Sequence, residues 1–256
     1  MELVSPESPK MYDVEKIGGV DCTIVDDLQG NERPKLAVVM AHGFGASGSD
    51  LVSIGTSMLR DYPHIAETTR FYFPAAPIDL TKAGIPGGRA WWTLDVDALM
   101  RANQSRNYDA LRIEEPKGLP AAREAIDGVI NYIQGHDGIP VPRMVVGGFS
   151  QGAMLATDFA LRSSEAPAEL VVFSGTLTNE KNWREFAAKR GKLKVLQSHG
   201  YQDPVLPFVA ATWLKEMFEE FKFDLDFMPY QGFHGIPQSA LTTLAEHLKK
   251  LVGWNE

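Results

Sequence analysis

The chain has 256 residues, 44% of them hydrophobic and 23% charged, with a formal net charge of −8. That length suits one large α/β domain with a full core, and the acidic balance argues against a protein that wraps a nucleic-acid backbone. One cysteine, Cys22, excludes an intrachain disulfide.

The opening residues, MELVSPESPK, lack the apolar stretch of a signal peptide. No run approaches the roughly 20 apolar residues of a membrane span, so a reducing cytoplasm is the expected compartment and no stable membrane insertion is expected. CTIVDD reads as an edge strand, with Cys22 alternating with Val20 and Ile24 on a buried face. LAVVMAHG from Leu36 is a buried strand, and DLVSIGTSMLRDY after it is a helix capped by Ser49 or Asp50. RFYFPAAP from Arg70 is a strand stopped by its prolines.

Between Ile78 and Leu119 no long element stands out. A connection of that length is functional or disordered, and the adjacent Trp91 and Trp92 argue against disorder. The segment therefore reads as lid-like or as a substrate wall. Neighbouring residues of an extended segment point to opposite sides, so one tryptophan is expected to anchor the core and the other to face the reacting groups.

LPAAREAIDGVINYIQG is helical, with Pro120 in its first turn and Gly135 at its end. The strand RMVVGGF from Arg143 leads into the helix QGAMLATDFALR. LVVFSG from Leu170 is a strand, and NEKNWREFAAKR is a helix closed by Gly191. The strand LKVLQSHG, the helix PFVAATWLKEMFEEF, the strand FDLDFMPY and the helix PQSALTTLAEHLKKLV complete the chain. This alternation predicts an α/β fold over residues 1–256, with a mostly parallel central sheet and helices on both faces.

Gly148, Ser150 and Gly152 form G-x-S-x-G between a strand and a helix. A strand-to-helix turn that tight needs small flanking residues, and it lifts the serine above the carboxyl edge of the sheet. The helix amino terminus behind it favours an oxyanion. The plainer alternative is a helix-capping serine in a glycine turn.

A serine hydroxyl needs a base to act as a nucleophile near neutrality. His234, in YQGFHGIP, follows the last strand and precedes the last helix. His42 and His199 each precede a glycine at a strand end and read as structural rings that shape loops. The base needs an acid, and Asp203 in SHGYQDPVLP follows the strand before the last one. Asp158, Asp224 and Asp226 fall inside a helix or a strand and are poorly placed. The backbone N–H groups of Phe44 and Gln151 are the candidate oxyanion donors. HGFGAS and GIPGGR lack the Gly-Lys-Ser/Thr of a phosphate loop, and with no H-E-x-x-H or C-x-x-C, no metal or cofactor is expected.

AHGFGASGSD, FPAAP with GGRAWWTLD, GIPVPRMVVGGFSQGAMLA, HGYQDPVLPF and YQGFH resemble the corresponding stretches of the phospholipase/carboxylesterase family of α/β hydrolases. The likeness spans roughly Leu36 to the carboxyl end. It implies an α/β-hydrolase fold and a serine carboxylesterase acting on small-molecule esters, with thioesterase, lysophospholipase and peptidase as alternatives within the fold. A non-catalytic binding module on the same fold is the alternative of another class.

Overall fold

A computed structural model of the chain describes residues 12–30, 32–94, 105 and 107–253. The opening stretch MELVSPESPK and the middle of the segment between Ile78 and Leu119 lie outside them.

The strands are β1 (Tyr12–Ile17), β2 (Val20–Val25), β3 (Leu36–Ala41), β4 (Thr69–Pro74), β5 (Ile78–Asp79), β6 (Arg89–Ala90), β7 (Met144–Phe149), β8 (Glu169–Phe173), β9 (Lys194–Gly200) and β10 (Asp224–Tyr230). The α-helices are α1 (Val52–Asp61), α2 (Pro63–Ala66), α3 (Asp109–Ile113), α4 (Leu119–Tyr132), α5 (Gln151–Arg162), α6 (Glu180–Ala187), α7 (Phe208–Glu220) and α8 (Gln238–Leu251). Eight strands form the main sheet in the order β1-β2-β4-β3-β7-β8-β9-β10. The pairings β1–β2 and β2–β4 are antiparallel, and those from β4 across to β10 are parallel.

Parallel strands buried on both faces read as continuous apolar runs, and β3 is such a run. Ala37, Val39 and Ala41 pack on one face, with α4, α5, α6 and α7, while Leu36, Val38 and Met40 pack on the other, with α1, α2 and α8. The expected α/β sheet with helices on both faces is therefore the one observed. Its topology places the loops after β3, β7, β9 and β10 at one carboxyl edge.

The structure corrects several boundaries. CTIVDD is not at the edge: β2 lies between β1 and β4. The edge strand β1 shows water five of its six residues and buries only Ile17, so its run carries little apolar signal. The turn Gly18-Gly19, with φ of 60° and 85°, closes the hairpin. Helix α1 begins at Val52 with no side-chain cap, because Leu51 and not Ser49 or Asp50 stands at the capping position; the Ser49 hydroxyl meets Ser47 Oγ, 3.2 Å away. The helix expected to end at Gly135 continues as a π-turn over Ile133–Asp137, and Gly138 ends it at φ 72°. Asp137 draws that turn down onto β4, where it accepts hydrogen bonds from Arg70 Nη1 at 2.8 Å and from the Tyr72 hydroxyl. Helix α6 stops at Ala187, before Gly191. Arg190 reaches back to the Leu161 and Ser163 carbonyls, which turns the chain away from the helix axis.

Cys22 is fully buried, and burial pushes its thiol up to about 12, so it stays a protonated core residue.

Candidate active site

Ser150 stands at the junction of β7 and α5 with φ 54° and ψ −117°. Residues with a Cβ rarely adopt such a backbone, at a cost of roughly 1–3 kcal/mol. Its N–H donates to the Phe173 carbonyl on β8 at 2.9 Å, and its carbonyl accepts from Met154 on α5 at 3.2 Å. The turn is compressed against the end of β3. A Cβ on Gly152 would lie 2.0 Å from the Ala41 oxygen, and one on Gly148 2.4 Å from the same atom, so only glycine fits at either position. Among the described residues the half-exposed Ser150 hydroxyl makes no hydrogen bond, leaving it free to act.

The β3 loop passes over this turn. A Cβ on Gly43 would fall 3.4 Å from Ser150 Cβ and 3.0 Å from the Phe149 ring. His42 sets the course of the loop: its Nδ1–H donates to the Gly43 carbonyl at 2.8 Å, and its Nε2 accepts from the Ala76 N–H at 3.0 Å. With both nitrogens engaged in those roles the ring is neutral, and burial pushes its pKa down against the opposing pull of the Gly43 carbonyl. The structural role expected for His42 is thus the one seen. The Gly45 and Ala46 N–H groups donate to the Arg89 and Gly43 carbonyls, whereas the N–H of Phe44, the expected oxyanion donor, makes no hydrogen bond among the described residues. Gln151, the first residue of α5, has no intrahelical acceptor for its N–H.

Asp203 and His234 meet. His234 Nδ1 donates to Asp203 Oδ2 at 2.6 Å, while the Val205 and Leu206 N–H groups donate to Oδ1 at 2.8 and 2.9 Å. Burial raises the Asp203 pKa. Hydrogen bonds from His199 and His234, the charge of His234 and the Leu206 N–H outweigh it and hold the carboxyl well below the usual carboxylate range. The His234 ring, 16% exposed, packs on Phe149, the residue before Ser150, with centroids 4.7 Å apart. Its Nε2 has no hydrogen-bond partner among the described residues, so it is open to a proton.

Several contacts at the site carry no sequence signal. The Tyr230 hydroxyl shares its one hydrogen between the carbonyls on either side of His234, Phe233 at 2.7 Å and Gly235 at 2.9 Å, and Ser174 Oγ donates to Gly235 at 2.8 Å. His199, expected to shape its loop, does so through the Leu206 carbonyl at 2.8 Å and also lies 3.3 Å from Asp203 Oδ2. Asp158 has another task, accepting hydrogen bonds from Arg123, Arg162 and the Trp183 indole.

Trp91 and Trp92 are 1% and 2% exposed, so the expectation that one ring stands open beside the reacting groups is corrected. The chain folds around both. Trp92 lies against Gly118, where a Cβ would come within 2.5 Å of the Trp92 Cβ. Trp91 Nε1 donates to the His42 carbonyl at 2.9 Å. The Gln151 side-chain amide joins the pair to the elbow, accepting from the Trp91 N–H at 2.8 Å and donating to the Trp92 carbonyl at 2.8 Å. Trp91→Ala is therefore expected to lower stability by about 3–5 kcal/mol. A urea midpoint unchanged from wild type would contradict its role as an anchor.

A mostly parallel sheet, with a strained serine, a buried carboxylate and its histidine gathered on loops at one edge, defines an α/β hydrolase of the esterase type. The chain belongs to the phospholipase/carboxylesterase family, whose model matches residues 28–252. It is 29% identical over 226 residues to acyl-protein thioesterase 1 of Kluyveromyces lactis, a match covering 84% of this chain and 92% of that protein. It is 27% identical over 238 residues to acyl-protein thioesterase 1 of Mycosarcoma maydis, covering 90% and 97%. Among solved structures, esterase PE8 superposes with a TM-score of 0.72 at 25% identity, covering 89% of this chain and 97% of that one. A carboxylesterase from Mesorhizobium loti shares the fold, with a TM-score of 0.67 at 13% identity over 93% and 99% of the two chains.

Proposed function

We propose that the protein hydrolyses small-molecule carboxylic esters, and thioesters by the same route, through an acyl-enzyme on Ser150. The observation that carries this reading is the Asp203–His234 pair, whose imidazole packs on the residue adjoining the strained serine. Ser150 Oγ attacks the acyl carbon while His234 Nε2 takes the hydroxyl proton. The Phe44 and Gln151 N–H groups hold the oxyanion. On collapse His234 returns the proton to the departing alcohol or thiol, leaving the acyl group on Ser150. Water, deprotonated by His234, then attacks the ester, and the acid leaves as the Ser150 hydroxyl reforms. Asp203 holds the imidazole in the Nδ1–H tautomer throughout.

The thioester reading draws on the two curated relatives named as thioesterases. An apolar rim accords with an acyl substrate: Phe233, next to the base, is 71% exposed, and Tyr201 and Val205 flank the acid. Trp91 and Trp92 serve substrate binding indirectly, by holding Gln151 and the root of the oxyanion loop. No helix among the described residues is long and apolar enough to cross a membrane. One buried thiol and a formal net charge of −8 support the reading of a protein of the reducing cytoplasm that does not act on nucleic acid. A panel of esters and thioesters of graded acyl length tests the proposal, and a lack of turnover across it would refute it.

A pH profile supplies an independent check. Asp203, held well below the usual carboxylate range, stays ionised across neutral pH. The acid limb then belongs to His234, which must be neutral to accept the proton, so kcat/KM is expected to rise with pH as His234 loses its charge. The same limb surviving in a His234→Ala variant with measurable residual activity would remove His234 as the base.

A further inference from the structure

His199 is the next-to-last residue of β9, four positions before Asp203, and its side chain is fully buried. Its Nε2 faces two acceptors, the Leu206 carbonyl at 2.8 Å and Asp203 Oδ2 at 3.3 Å. Neither acceptor can supply a hydrogen, so Nε2 carries it and shares it, with the carboxylate as the longer arm. Nδ1 is buried with no partner among the described residues. The ring stands edge-on to Phe208, at 66° with centroids 6.2 Å apart, which fixes its plane.

The carboxylate therefore sits in a cradle of donors. The Val205 and Leu206 N–H groups hold Oδ1, while His234 and His199 converge on Oδ2. A ring that only filled the end of β9 or tied down Leu206 would have no need to reach the oxygen that serves the base.

We propose that His199 is a positioning residue for the acid–base pair: its Nε2–H fixes the rotation of the Asp203 carboxylate and divides Oδ2 between two imidazoles. This inference rests on the reading of Asp203 as acid and His234 as base. With the second donor gone, Oδ2 turns wholly to His234. The charged form of His234 gains from an unshared carboxylate, so the acid limb of kcat/KM moves to higher pH. The carboxylate is also freer to rotate, so the imidazole swings relative to Ser150 and kcat falls while KM holds. The other titratable side chains around the pair are Tyr230, whose hydroxyl senses the charge of Asp203, and Tyr201, whose ring packs at a tilt of 40° against Phe208. No lysine or arginine among the described residues pairs with Asp203.

The test compares His199→Leu, which removes the donor, with His199→Gln, whose amide reaches about as far as Nε2. The readouts are kcat, KM, the acid limb, the urea midpoint, and the low-field proton resonance of the His234 Nδ1–H in the resting protein. His199→Leu is expected to lose roughly tenfold to a hundredfold in kcat, to keep its KM, to move its acid limb upward and to shift that resonance. His199→Gln is expected to restore all three. A folded His199→Leu with a wild-type rate, limb and resonance overturns the proposal, as does a Gln variant that behaves like the Leu variant. If His199→Leu does not fold, ring nitrogen spectra of the wild-type protein decide: an unprotonated His199 Nε2 overturns the proposal, and a protonated one whose environment changes in Asp203→Asn supports it. The resonances need no substrate, so absence of wild-type turnover counts against the hydrolase reading and leaves the His199 bond to be judged separately.

Discussion

Ser150→Ala is expected to fold as the wild type does and to lose on the order of 10⁶-fold in kcat. The substitution keeps the Cβ, so the strained backbone angles and the bonds to Phe173 and Met154 are unaltered. What disappears is the one atom proposed to form the acyl bond. The residual rate comes from binding and the oxyanion donors alone. A fluorophosphonate probe should add one mass increment to the wild-type protein, on Ser150, and none to the variant. An adduct mapped to another residue, or turnover in the variant near the wild-type rate, would sink the assignment.

Asp203→Asn should cost about 10⁴ in kcat, and the donor cradle shows why. The Val205 and Leu206 N–H groups require an oxygen at the Oδ1 position. The amide nitrogen of an asparagine is thereby driven to the Oδ2 position, against the His234 Nδ1–H. Two donors cannot face each other, so His234 moves its hydrogen to Nε2, the atom that must accept the proton from Ser150. Asp158→Asn makes the contrast. It weakens the contacts to Arg123, Arg162 and Trp183, so it should lower the urea midpoint and spare the rate per folded molecule. Equal kinetic losses in the two variants would mean that the acid had been placed wrongly.

The parts of the fold legible in the sequence are those set by local pattern. β3 and β7 are apolar throughout, and β8 is apolar after Glu169, because helices cover both faces, and α4, α5 and α8 follow in helical period. The candidate site was legible for a topological reason. In a parallel sheet the loops after successive strands gather at one edge, so a serine after β7, an aspartate after β9 and a histidine after β10 need only their order to be placed together. The features that escaped depend on partners distant along the chain. The π-turn at the end of α4 answers to Arg70 and Tyr72 on β4. The burial of Trp92 depends on Gly118 approaching from the start of α4. The bracing of the His234 loop by Ser174 arises from residues 61 positions apart. Polar β1 was missed because one buried side chain in a strand makes no pattern.

The contact between Gly152 and the Ala41 carbonyl has a mechanical consequence. Ser150, the proposed nucleophile, and the root of the β3 loop are riveted at one point, with no side chain between them to act as a spring. A bend of the sheet therefore carries both together, like two jaws on one pin, and their separation holds while the frame flexes. The His234 loop has a rivet of its own at the end of β9, where a Cβ on Gly200 would fall 2.4 Å from the Gly232 and Phe233 carbonyls, and the hydroxyls of Tyr230 and Ser174 brace the turn beyond it. The two halves of the proposed site are thus pinned separately, Ser150 to the end of β3 and His234 to the end of β9.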